Sequence, residues 1–226
     1  MNIFALSECP VESAQQVVDK HVVKMPTESC QMLHTNMLHF MFLEEFRREP
    51  TLRELKAFYN ENSDLHFLMK PAMLNHPSTI WARQSLPNMN WLLRHSLALC
   101  EEYTYRYRKV HGSQRRIQEA VEWSYFCNAE LFPSMHFTPP TIAMFDAYRL
   151  DRSNYFVENP RASEWDFVIA SYRNYYIKAK YKFATWKGRE APSWYDFSYG
   201  QEKQLKLAND LRELFTRYAN KHGGNN

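Results

Sequence analysis

The stretch from Asp19 to Leu33, DKHVVKMPTESCQML, gathers an acid, a histidine, two lysines and a glutamate between Asp19 and Glu28. On a helix, Asp19, Val22, Val23 and Pro26 share one stripe. Lys20, Lys24 and Glu28 share another at i, i+4, i+8 spacing, with His21 one position from Lys20. Most of these charges are expected to face one small volume. A carboxylate held among cations can orient a water or accept a proton, so Asp19, Glu28 and His21 are the candidate catalytic groups. Lys20 and Lys24 fall where helix ends, with unpaired N–H groups and a positive dipole end, already favour an anion. The same spacing also describes a solvated face in which Lys20 or Lys24 pairs with Glu28, each pair contributing ~0.2–0.5 kcal/mol.

Two further groups carry chemistry. His76, Trp81, Arg83, Asn88, Asn90 and Trp91 form a polar and aromatic set that can line a base pocket, or else supply core indoles and a helix cap. From Tyr172 to Trp194 aromatic rings alternate with Arg173, Lys178, Lys180 and Lys182. Bases stack on rings while ammonium and guanidinium groups meet phosphates, so this mixture suits nucleic acid. A core face with lysines reaching outward gives the same pattern.

The elements that would position these groups are helical. A short extended segment, residues 2–6, precedes a first helix from Pro10 to about Val18. Asp19 is placed as a cap, and Pro26 is expected in or just before the first turn of the next helix, so that two helical pieces meet at the charged stretch. A helix follows Pro50, and another runs from Thr79 to Gln84. The longest expected element begins with Asn88 as cap and ends at Gly112, with Leu92, Ser96, Leu99, Tyr103 and Tyr107 on one stripe and Arg106 on its flank. Gln114 to about Asn128 forms the next helix. Residues 131–151, with Pro133, Pro139 and Pro140 among apolar residues, break the pattern as a long loop, a lid or a pocket wall. Ser163 to Asp166 has capping-box spacing before a helix expected to reach Trp186, and a last amphipathic helix starts at Gln201. The expected fold is all-α, one helical domain over residues 1–226 with a fraying GGNN terminus.

Composition narrows the function classes. The 226 residues include 15% aromatic residues and only five glycines, none of which forms a G-x-G-x-x-G or Walker-type loop, so Rossmann and P-loop nucleotide sites are excluded. Four scattered cysteines without a C-x-x-C pair point to a reducing compartment. No apolar run is long enough for a membrane span. His34 and His39 stand five apart and no H-E-x-x-H occurs, so neither a metal nor a cofactor is expected. The net charge of +3 permits a nucleic-acid partner through a local patch.

Several spaced motifs occur in order: DKHVVKM followed by E-x-x-Q-M-L, H-P-S-x-x-W-x-R-x-S-x-x-N-x-x-W-L, E-Y-x-x-R-Y-x-K-x-H, and S-Y-R-N-Y-Y-I with F-A-x-W. Together they resemble a family of uncharacterised tailed-phage proteins. The basic N-terminal helix with E-x-x-Q-x-L and the following H-P-x-x-x-W is also similar to the pyrimidine-dimer DNA glycosylase group, from which the sequence departs at Pro26. These resemblances imply a helical protein acting on a damaged or modified pyrimidine in DNA, in the cytoplasm of an infected host cell. They imply that Asp19 or Glu28 stabilises an oxocarbenium-like sugar and directs a water. Lys20, Lys24, Arg83, Arg106, Arg173 and Lys178 would hold phosphates. His76, Trp81, Asn88, Asn90, Trp91 and Tyr172 would surround the extruded base. Some glycosylases of this kind use the N-terminal amine as nucleophile. Asn2 is bulky for removal of Met1, which turns the expectation to water, or to Lys20 or Lys24 as the amine. A transferase decorating an activated pyrimidine in phage DNA fits the same pocket, as does a non-catalytic protein that binds nucleic acid or inhibits a host defence enzyme.

Overall fold

Two long helices set the frame. In a computed structural model describing residues 2–222, α2 (Asp19–Phe46) and α5 (Leu86–Tyr107) pack on each other, and α1 (Pro10–Gln16), α4 (Pro77–Gln84) and α6 (Gln114–Ser124) pack around them. The remaining helices are α3 (Leu52–Glu61), α7 (Arg152–Glu158), α8 (Glu164–Lys180) and α9 (Ser198–His222). Among the described residues there is no strand, only an isolated bridge between Ser85 and Ser134, so the fold is all-α. The GGNN terminus expected to fray lies outside the described residues.

Local chemistry explains most helix ends. Thr51 with Glu54 and Ser163 with Asp166 form complete capping boxes on α3 and α8. Pro77 opens α4, and the His76 ring accepts the Ser78 N–H. Ser85, rather than the expected Asn88, caps α5 by accepting the Asn88 N–H, and Pro87 sits in the first turn where its missing N–H costs nothing. The helix stops at Tyr107, short of Gly112, because Arg108 turns left-handed at φ 56° and donates its N–H to Thr104 O. Beyond α8, a single 3-10 turn over 181–183 replaces the expected continuation to Trp186.

The charged stretch is one helix, not two pieces. Pro26 lies inside α2, where an internal proline costs about 3 kcal/mol through its missing N–H and ring clash. Burial offsets that cost, because Pro26 and its neighbours Val22, Met25 and Cys30 all face the core. The carbonyl left without a donor by Pro26 is that of Val22, and the next one, that of Val23, accepts from the His111 ring at 3.1 Å.

A buried ionic knot ties the chain together beside the start of α2. Glu102 accepts from Arg106 Nε at 2.7 Å and from Arg189 Nε at 2.5 Å, while Arg106 also donates to Val17 O, Gln15 O and Asp19 Oδ1. The side chains of Arg106 and Glu102 are 0% and 2% exposed, so each charge depends on the other for its solvation.

Candidate active site

Glu28 lies on the outer side of α2, its side chain 16% exposed, with Lys24 one turn earlier bonded to Oε1 at 2.8 Å. That pair is the i, i+4 contact expected from the spacing. Helical periodicity offers no hint of the next partner: the main-chain N–H of Asn2 donates to Glu28 Oε2 at 3.1 Å. Asn2 is held in place from both ends of its amide. Its Nδ2 donates to Ala143 O at 2.7 Å, and its Oδ1 accepts from the Tyr172 hydroxyl at 3.0 Å. Tyr172 is buried, and burial raises its pKa, so the hydroxyl remains a donor.

His76 faces the same region. Burial lowers its pKa, and the negative charge of Glu28 acts in the opposite sense. With Nδ1 accepting from Ser78 N–H, a neutral His76 carries its proton on Nε2 and offers an N–H donor. Glu28 therefore gathers a cation from Lys24 and a chain N–H from Asn2, with His76 near enough to feel its charge. α2, the N-terminal arm and the cap of α4 supply them.

Asp19 is elsewhere. Nine residues along a helix place it about 14 Å from Glu28 and half a turn round the axis, so the expected single volume is corrected to two. Asp19 accepts from Arg106 and from Lys187 N–H, anchoring the segment after α8. His21 is also set apart: stacked on Phe4 at 4.3 Å and hydrogen-bonded through Nδ1 to Tyr176 OH at 2.5 Å. Burial, then the charges of Lys180 and Lys24, lower its pKa to about 3. Tyr176, pushed well above its ordinary pKa by burial, donates to it.

The expected phosphate-binding residues separate by exposure. Lys20, Lys24 and Lys178 are exposed. Arg106 is corrected to a structural role, its guanidinium fully engaged in the ionic knot. Arg83 donates to Leu74 O, and Arg173 donates to Leu6 O while lying over Trp194. Lys180, expected only as part of an aromatic and basic run, completes a patch with Lys20. The Lys180 ammonium stands 4.5 Å from the Tyr175 ring and that of Lys20 4.5 Å from the Phe183 ring, and Lys24 lies near enough to act on the same imidazole.

The expected base-pocket residues are mostly braces. Trp81 is 1% exposed and donates to Thr138 O, and buried Asn88 exchanges hydrogen bonds with Thr138. Trp91 donates to Glu8 O and stacks on His95. Asn90 is exposed on α5, in an open groove with Trp91 and Arg94. Tyr172 holds Asn2. The cysteines at the core, Cys30 and Cys100, have thiols pushed up to about 12 by burial, which removes them as nucleophiles.

No helix among the described residues is long and apolar enough to cross a membrane. No curated protein and no solved structure gives a match to the chain. A family model described as pyrimidine dimer DNA glycosylase matches residues 1–114. That span holds Asn2, Lys24, Glu28 and His76, whereas Ala143 and Tyr172, which fasten Asn2, lie beyond it. The match covers half of the sequence and includes Glu28 and the three groups around it: the chain belongs to the pyrimidine dimer DNA glycosylase family.

Proposed function

We propose that the protein releases a damaged or modified pyrimidine from DNA by breaking the bond between the base and C1′ of its sugar, with Glu28 as the acid group at the reaction centre. The observation that carries this reading is the contact of the Asn2 nitrogen with Glu28 inside the family-matched region. The target nucleotide turns out of the helix toward Glu28, and Lys20, Lys24 and Lys180 hold the phosphates. The C1′–N bond breaks and its electron pair leaves with the base, which takes up a proton from solvent. The cation-like sugar forms beside the Glu28 carboxylate, which stabilises it. The attacking group bonds to C1′ and gives its proton to Glu28. In this reading His76 Nε2–H bonds an acceptor oxygen of the leaving base.

Two nucleophiles fit this position: a water directed by Glu28, and the Asn2 nitrogen once removal of Met1 leaves a free amine there. Phage DNA in the cytoplasm of an infected cell is the proposed setting.

The test uses an oligonucleotide carrying one thymine dimer: cleavage of a glycosyl bond is read by mass spectrometry after photoreversal, which frees the cleaved thymine that the cyclobutane ring otherwise tethers to its neighbour. Glu28→Gln should lower turnover by about 10²–10⁴-fold while leaving binding intact. Asp19→Asn should keep turnover per folded molecule, because it acts through structure. Borohydride trapping of a protein–DNA adduct identifies the amine route, and turnover without trapping identifies water. Unchanged turnover in Glu28→Gln would sink the assignment, and a mass gained by the DNA other than that of one water, with no base freed by photoreversal, would point to group transfer instead.

A further inference from the structure

The helix α9 leaves the body of the molecule after its first turn. Its start is held at the 181–183 turn, where Tyr199 meets Tyr181 edge-on at 5.6 Å and Gly200 lies close against the same side chain. From residue 201 to 217 every residue is exposed. A helix of that length in water is only marginally held by propensity, and helices in proteins persist mainly by packing an apolar face. The ion pair of Arg217 with Glu213, at 3.4 Å on the surface, supplies little in its place. The sequence does carry an apolar face. Leu207, Leu211 and Leu214 follow at spacings of four and three, the seam of a paired helix, and Ala208 and Phe215 widen it on one side. The three leucines and Phe215 are 60%, 44%, 60% and 68% exposed. Along the other side of the seam stand Lys203, Asp210 and Arg217, seven apart, while Leu205 lies off it.

The charges select what can cover this seam. Against a parallel copy, the row Lys203, Asp210 and Arg217 would face the row Ala208 and Phe215, setting charges on apolar groups. In an antiparallel pair of identical helices a twofold axis lays each row against its own reverse. Within residues 200–217, three registers bring the two seams together. One opposes Asp210 to Asp210 and Lys203 to Arg217, like charge to like. A second opposes Lys203 to Asp210 but puts Leu211 over Gly200. The third opposes Asp210 to Arg217 twice, sets Leu211 on Leu214 twice, and lays Phe215 over Ala208 on the far side. Only this register satisfies the seam and both rows. We propose that α9 is a dimerisation helix, which pairs in that antiparallel register with α9 of a second copy of this chain. Two short seams bury an area near or below the ~1,200 Å² lower end of stable interfaces, so the dimer forms and dissociates with concentration. The pairing does not depend on the glycosylase reading, and α9 lies outside the family-matched residues 1–114.

The test is sedimentation velocity of the full chain from about 1 to about 100 μM, where the wild type should pass from monomer to dimer. Leu211→Glu should stay monomeric over the whole range while keeping the circular dichroism and urea midpoint of the monomer, because residue 211 touches nothing in its own copy that the fold requires. Asp210→Arg alone and Arg217→Asp alone each oppose like charges twice across the pair, and each should weaken the dimer by about tenfold. The double variant Asp210→Arg, Arg217→Asp restores opposite charges at both places and should dimerise more tightly than either single reversal. A wild type that remains monomeric throughout, a dimer that survives Leu211→Glu, an assembly larger than two, or a double reversal no tighter than the single ones would each overturn the proposal.

Discussion

His21 and His95 are carried in the core as neutral imidazoles, 7% and 2% exposed. Burial lowers both to about 3, assisted at His21 by Lys180 and Lys24. In the unfolded chain each titrates near its ordinary value of 6.5. Between pH 6.5 and about 3 the unfolded state therefore holds more protons, so stability falls as pH falls through that window. Linkage puts the loss at roughly 2 kcal/mol per imidazole by pH 5. Urea denaturation at pH 7 and pH 5 should show the drop, and His95→Phe, which keeps a ring against Trp91, should flatten it. A profile as steep in His95→Phe as in the wild type would refute this account for His95. The same burial explains why His21, the histidine nearest the acids in sequence, is withdrawn from the chemistry that its neighbours suggested.

Elements were legible wherever their signals are local. The Ser163 capping box and the stripe Leu92, Ser96 and Leu99 on α5 are short-range features, and each is found where its spacing put it, while α4 opens at Pro77, two residues before the expected Thr79. The errors share one cause, which is tertiary packing overriding a local rule. A proline usually ends a helix, but the burial of Pro26 and its neighbours carries α2 through it. Arg108 ends α5 in a conformation that favours glycine, so the search for Gly112 overshot. At the other extreme, α9 packs against α8 and the 181–183 turn, and every residue from 201 to 217 is exposed, including Leu207, Leu211 and Leu214. Its amphipathic pattern predicted burial that this chain does not supply. Deleting residues 201–226 should accordingly change the unfolding free energy of the remainder by no more than about 0.5 kcal/mol, the scale of surface changes, as read by denaturant titration.

At the scale of the whole molecule, the net charge of +3 gives little long-range attraction for DNA, so binding must come from where the cations sit. Lys20, Lys24 and Lys180 gather from α2 and α8 into one patch. Alanine at any one should reduce the slope of log affinity against log salt by about 0.9 for duplex DNA, measured by fluorescence anisotropy. Arg106→Ala, whose guanidinium is internal, should leave the slope unchanged in whatever fraction folds. The site was half legible for the same reason. Lys24 and Glu28 are an i, i+4 pair that periodicity displays. Asn2 reaches Glu28 across 26 positions from an arm without periodicity, and Ala143 and Tyr172, which hold it, are more distant still. The pinned arm also matters to anyone handling the protein. A polypeptide fused ahead of Asn2 would emerge within bonding distance of Glu28 and crowd its carboxylate, whereas one fused after α9 would hang from the helix that the rest of the chain least needs.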